Sequence, residues 1–145
     1  MEIIELRNNL TASLARIYDI EAFSNLAEFL QGELHVLQNL TQNNSLEMNP
    51  SILSDNLHVS RSRITAALSA LRKKGYVTME MSEDDRRRMR VKLTTAGEAF
   101  IKEKQENVER YFDKLIKGMG EENVLELIRL IELSVEIMDN KEKQR

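Results

Sequence analysis

Ten lysines and arginines stand between Arg61 and Lys92: Arg61, Arg63, Arg72, Lys73, Lys74, Arg86, Arg87, Arg88, Arg90 and Lys92. Four acids, Glu80, Glu83, Asp84 and Asp85, share that stretch, so ten positive charges against four negative leave +6. The whole chain carries −3, which puts −9 on the remainder. Clustered guanidinium and ammonium groups bind phosphates. A positive module on an acidic body is the asymmetry of a domain that meets a polyanion. The alternative is a basic face that is merely solvated.

Other chemistry finds little support. There is no cysteine, which excludes disulfides, thiolate metal sites, cysteine nucleophiles and thiol redox sensing. The two histidines, His35 and His58, fall short of the three or so clustered ligands a metal site needs, and Glu33-x-His35 alone is a weak pair. Glu83-Asp84-Asp85 could be read as paired carboxylates for acid–base work. The arginines that follow make a salt-bridged loop the better reading. No Gly-rich phosphate loop and no Ser-His-Asp set is present. The expectation is no metal, no cofactor and no enzyme. Met48, Met79, Met81, Met89, Met119 and Met138 read as core and strand filler. Arg16, Tyr18, Phe23 and Phe29 either line a small-molecule pocket or pack in the core.

The elements that must position these charges are mostly helical. The chain has 145 residues, 41% hydrophobic, with one proline and five glycines. That is enough for one domain with a real core and few helix breakers. Asn49 followed by Pro50 is a helix start, with Ile52, Leu53, Leu57 and Val59 as apolar contacts. Ser60 caps a second helix in which Ile64, Ala67, Leu68 and Leu71 recur at helical spacing. The other face of that helix carries Arg61, Ser62, Arg63, Thr65, Ala66 and Ser69. Gly75 ends it, after Arg72, Lys73 and Lys74, whose charges suit the negative end of the helix dipole.

A β-prone run, Tyr76 to Met81, then a charged loop, Ser82 to Arg88, then the alternating strand Met89 to Leu93 make a hairpin. Thr94 or Thr95 opens the next helix, with Thr95-x-x-Glu98 as a capping box. Helix, turn, helix, strand, charged loop, strand is the winged helix-turn-helix plan. It sets the second helix in the major groove of a duplex, with an arginine-bearing hairpin beside it.

At these residues the sequence resembles the MarR family of bacterial transcription regulators. The match runs through Asp85-Arg86-Arg87, Val91, Leu93-Thr94 and Gly97, the family's D-x-R…V-x-L-T-x-x-G wing signature. A second match is Ser60 to Thr65 with Leu71, Gly75, Tyr76 and Val77, and a looser one is Leu34-x-x-Leu37-x-x-Leu40. The resemblance covers roughly residues 26 to 97. It implies that Arg87 is the wing-tip arginine of the minor groove and that Asp85 orients it. It implies that Arg61, Ser62, Arg63 and Thr65 meet bases and phosphates, with Arg86 and Arg88 as further phosphate contacts; Ser60, Ala66 and Ser69, from the cap and polar face of the same helix, complete the candidate DNA-binding set. Arg88 departs from the family, where that position is often small or apolar. The resemblance further implies double-stranded DNA with a pseudo-palindromic operator as partner, repression as the usual outcome, and a small-molecule effector pocket between dimer region and DNA module.

Both ends of the chain look built for pairing. Ile3, Leu6, Leu10, Leu14 and Ile17 form one stripe, and Val124, Ile128, Ile131, Val135 and Met138 repeat at 4-3-4-3 spacing. Leu127, Leu130, Leu133 and Ile137 make the last helix apolar on other faces too. It is expected to bury partly against the helix from Thr95 to Lys117, whose stripe is Ile101, Val108, Tyr111, Phe112 and Leu115, and partly across a two-fold axis. Gly118-Met119-Gly120 separates the two helices.

The expected architecture is therefore mainly α: a winged helix-turn-helix with a small β-hairpin wing, flanked by N- and C-terminal dimerisation helices. Residues 1–24 form the N-terminal dimerisation helix. Residues 25–97 form the DNA-binding region, with the recognition helix at about 60–74 and the wing at about 77–93. Residues 98–145 form the C-terminal dimerisation helices. No run approaches the roughly 20 apolar residues of a membrane span, and the acidic start lacks a signal-peptide pattern, so a cytoplasmic homodimer is expected. The competing class is a winged-helix module that recruits a protein partner, whose recognition helix would expose apolar residues.

Overall fold

The computed structural model describes residues 1–81 and 89–143. Seven helices and one hairpin follow in the order α1 (Ile3–Tyr18), α2 (Glu21–Gln31), α3 (Glu33–Gln42), α4 (Pro50–Leu57), α5 (Arg61–Lys73), β1 (Val77–Met81), β2 (Met89–Leu93), α6 (Thr95–Met119) and α7 (Glu121–Lys143). The chain divides into two compact units, one up to Val108 and one from Glu109 on.

In the first unit a single core joins α2 to α6. Phe29, Leu34, Val36, Leu37, Leu40, Met48, Leu53, Ile64, Leu68, Leu71, Val77, Val91 and Ile101 are buried together. The apolar faces expected of α3 and α5 supply six of these. β1 and β2 pair antiparallel, from Val77 opposite Leu93 to Met81 opposite Met89. Beyond them Met48 bridges to Val91, the Val91 N–H donating to the Met48 carbonyl at 2.8 Å. The segment before α4 thus closes the second edge of β2.

The helix starts follow the capping chemistry. Asn49 Oδ1 accepts from the Ile52 N–H at 2.8 Å, with Pro50 in the first turn. Ser60 Oγ accepts from the Arg63 N–H at 3.3 Å. Between α4 and α5 the chain turns through His58 at φ +54°, a left-handed residue, and Ser54 Oγ donates to the Val59 carbonyl to brace the turn. At the other end of α5, Gly75 at φ +81° donates to the Arg72 carbonyl and Tyr76 donates to the Leu71 carbonyl. That is a Schellman ending, which needs a residue free to adopt positive φ.

Several expectations need correction. The N-terminal helix does not run unbroken to residue 24: Ile20 is extended, and α2 begins afresh at Glu21. Asp19, a weak helix former, precedes the break. The cap of α6 is Thr94 rather than a Thr95–Glu98 box, because Thr94 Oγ1 accepts from the Gly97 N–H at 3.0 Å. Gly118 lies inside α6, and the break falls at Gly120, φ +84°. Ile52 is exposed, since the turn of α4 that faces the core is taken by Leu53. Met81 and Met138 are exposed rather than core filler.

In the second unit, most of the apolar side chains of α7 are exposed. Ile128, Ile131 and Val135 are 49–52% exposed, and only Val124 among its described side chains is half-buried. On its surface Arg129 pairs with Glu126, with Nη2–Oε1 at 2.7 Å and Nε–Oε2 at 3.0 Å.

Candidate nucleic-acid interface

The α5 helix presents two unlike faces. Ile64, Leu68 and Leu71 are at most 1% exposed and anchor it to the core. Arg61, Ser62, Arg63, Thr65, Ala66 and Ser69 are all exposed on the other side. Each buried leucine or isoleucine contributes about 1.5–3 kcal/mol of burial, so the anchor fixes which residues α5 shows to solvent. The first turn holds no acid. The positive end of the helix dipole therefore adds to Arg61 and Arg63. Ser60 Oγ lies 3.2 Å from Ser62 Oγ, and Thr65 Oγ1 donates to the Arg61 carbonyl at 2.8 Å. These hydroxyls hold the N-terminal turn in shape while their remaining bonding capacity faces outward.

The hairpin continues the polar surface. Thr78, Glu80 and Lys92 are exposed on the face opposite Val77, Met79 and Val91. Asp85, Arg86, Arg87 and Arg88 lie outside the described residues. The structure therefore brings Arg61, Ser62, Arg63, Thr65, Ala66 and Ser69 together on the exposed side of α5, after the Ser60 cap, and roots the hairpin at the end of the same helix.

Among the described residues, two of these cations are held by acids of other segments. Lys74 Nζ sits 2.7 Å from Glu33 Oε2, tying the end of α5 to the start of α3. Glu33's hydrogen bond and charge hold the Lys74 ammonium above its ordinary pKa. Arg90 Nε lies 3.5 Å from Glu47 Oε1, buried and without hydrogen-bonding geometry. Glu33 and Lys74 stand 41 residues apart, and no local pattern could have announced that contact.

The L-T-x-x-G run proves to be wing architecture. Thr94 N–H donates to the Tyr76 carbonyl at 3.1 Å, and Thr94 Oγ1 donates to the Gly75 carbonyl at 2.6 Å. Gly97 is buried so close to Tyr76 that a Cβ would lie 2.1 Å from the Tyr76 carbonyl oxygen. The Tyr76 ring stacks on Phe100 at 4.3 Å, and Lys104 Nζ lies 5.6 Å from the Phe100 ring centre. The signal for these roles was in the sequence, as a glycine in the first turn of a helix.

Behind the hairpin is a cavity of about 450 Å3 whose walls include Leu40, Leu46, Met48, Arg90, Lys92 and Glu98. Among the described residues no cluster of three or more His, Asp or Glu side chains could hold a metal ion. No helix among them is long and apolar enough to cross a membrane. His35 is half-buried and His58 exposed; Phe29 is in the core and Tyr18 is exposed.

Residues 33–112 match the family model of the winged helix DNA-binding domain. The chain is 28% identical over 115 residues to the HTH-type transcriptional regulator FarR of Neisseria gonorrhoeae, covering 79% of this chain and 77% of that one. Its fold is similar to that of YusO from Bacillus subtilis, with a TM-score of 0.70 at 17% identity over 94% of this chain and 99% of that one. It is also similar to FabT of Streptococcus pneumoniae in a complex with DNA, with a TM-score of 0.67 at 20% identity over 96% and 99% of the two chains. The chain belongs to the winged helix DNA-binding domain family. Its fold is that of the MarR-type regulators, as the wing signature implied, and it is a DNA-binding regulator rather than an enzyme.

Proposed function

We propose that the chain is a sequence-reading transcriptional regulator, acting as a homodimer on a pseudo-palindromic operator. The observation that carries this is the two-faced α5 helix, apolar where it meets the core and hydroxylated or cationic where it meets solvent. Arg61, Ser62, Arg63, Thr65, Ala66 and Ser69 would lie along the major groove, with Ser60 and the first-turn N–H groups on phosphate. Arg86, Arg87 and Arg88 would meet the backbone and minor groove, with Asp85 orienting Arg87. Large apolar side chains are missing from the exposed face of α5, which disfavours the reading as a protein-recruiting module.

The pairing surfaces follow from exposed apolar area. Ile3, Leu6, Leu10 and Leu14 on α1 are 48–72% exposed in a single chain, and Ile128, Ile131 and Val135 on α7 are about as open, with Val124 beside them. Contiguous apolar faces of this extent mark an interface, and a second copy is the occupant we propose. A dimer would set two α5 helices about one helical turn of DNA apart, roughly 34–36 Å. In this reading the regulator is a cytoplasmic repressor whose affinity a small molecule modulates. The cavity behind the wing, about 450 Å3, has the size of a small-molecule site, which runs roughly 300–1,000 Å3.

The test is duplex binding by fluorescence anisotropy across a salt series, together with molecular mass by sedimentation. Salt-sensitive binding by a species of twice the chain mass supports the proposal. Failure to bind any duplex at low salt would overturn it and move the protein-recruiting module to first place.

A further inference from the structure

The described residues concentrate an unusual number of bonds on Thr94. Its N–H donates to the Tyr76 carbonyl at 3.1 Å. Its hydroxyl donates to the Gly75 carbonyl at 2.6 Å and accepts from the Gly97 N–H at 3.0 Å. Its carbonyl accepts from the Glu98 N–H at 2.9 Å. One half-buried residue therefore ties three segments: the exit of α5, the end of β2 and the first turn of α6. The Gly75–Thr94 bond spans 19 residues and lies just past the last pair of the hairpin ladder, Val77 with Leu93. The close approach of Gly97 to the Tyr76 carbonyl and the Tyr76–Phe100 stack press the same three segments together.

A two-stranded ribbon is marginally stable by itself, and its aim is set by what holds its root. Here the root of the hairpin is fixed to the C-terminal end of the very helix that presents Arg61 and Arg63. We infer that Thr94 is a positioning residue for DNA binding: its hydroxyl sets the angle between the wing and α5, so affinity depends on a side chain that does not touch the duplex. The inference rests on α5 and the wing being the DNA-contacting surfaces, and it adds to that reading the device that holds them in register.

The experiment compares the full chain with Thr94→Val, which keeps the shape and removes the hydroxyl, and with Thr94→Ser, which keeps the hydroxyl. Two readouts are taken: amide hydrogen exchange without DNA, and affinity for one duplex over a salt series. Loss of the two hydroxyl bonds in Thr94→Val is expected to speed exchange of the Gly97 and hairpin amides while α3 amides stay protected. DNA affinity should fall by about tenfold, as two net hydrogen bonds imply. The salt slope should become shallower, because wing phosphate contacts are lost, and Thr94→Ser should stay within about twofold of the original affinity. A purely structural role would lower the active fraction and leave the slope unchanged, and that result would overturn the inference. So would local loosening with unchanged affinity, or an equal loss in Thr94→Ser. If Thr94→Val does not fold, Thr94→Ala removes the same hydroxyl without a methyl beside the Gly75 carbonyl and goes through the same assays. Absence of duplex binding by the original chain would overturn the DNA reading, and this inference with it. The exchange data would then report separately whether Thr94 holds the hairpin.

Discussion

Gly97→Ala tests the packing beneath the wing. In the structure an added Cβ would sit 2.1 Å from the Tyr76 carbonyl oxygen, 3.0 Å from its carbon and 3.2 Å from its Cα, all backbone atoms. Ordinary contact begins near 3.4 Å, so the first turn of α6 must move away by more than an ångström. Overpacking of this kind costs about 1–3 kcal/mol. The movement also stretches the Thr94 bonds to Tyr76 and Gly75, each worth about 0.5–1.5 kcal/mol. Alanine's better helix propensity returns about 1 kcal/mol. The balance is a destabilisation of about 3 kcal/mol. At roughly 2–4 °C per kcal/mol for a chain of this size, Tm should fall by about 6–12 °C, read by calorimetry at fixed protomer concentration. Gly118→Ala is the internal control. It is also in α6, its Cβ would meet nothing within 4 Å, and it should raise stability by about 0.5–1 kcal/mol. A Tm for Gly97→Ala equal to or above the original would refute the reasoning, because the close approach would then carry no energetic weight.

Three further predictions concern the proposed interfaces. Arg63→Ala should relax sequence preference by about 1–3 kcal/mol at one base pair if Arg63 reads a base edge, as a panel of single-base duplex variants would show; a uniform loss would assign it to phosphate. Arg87→Ala should weaken duplex binding and leave the dimer intact, measured by anisotropy and sedimentation in parallel; unchanged affinity would remove Arg87 from the interface. Ile131→Asp puts a charge on the exposed apolar face of α7 and should shift sedimentation toward monomer, while an undisturbed dimer would place the two-fold contact elsewhere.

Much of the DNA-binding unit was legible in the chain. Ile64, Leu68 and Leu71 announce the buried face of α5 by spacing, and the same spacing leaves Arg61, Arg63 and Thr65 outside. Asn49 and Ser60 act as the caps their residue types suggest. What escaped were facts fixed by distant segments. The Lys74–Glu33 pair and the Arg90–Glu47 approach join residues with no local relation. Thr94 and Thr95 were both open as the start of α6, and what decides for Thr94 is the Gly75 carbonyl, a partner that only the folded hairpin supplies. The interruption at Asp19 and Ile20 carries no proline or glycine, so no breaker residue marked it. For α7, periodicity marked which side chains would seek cover but not what would cover them.

In the proposed regulator the exposed face of α5 reads DNA sequence as part of a symmetric dimer. Selection of bound duplexes from a random pool, repeated at two salt concentrations, tests it most directly. The expected outcome is an enriched inverted repeat with half-sites about one helical turn apart, sharpening as salt rises and sequence-independent binding fades. A pool that stays random at both concentrations would contradict it.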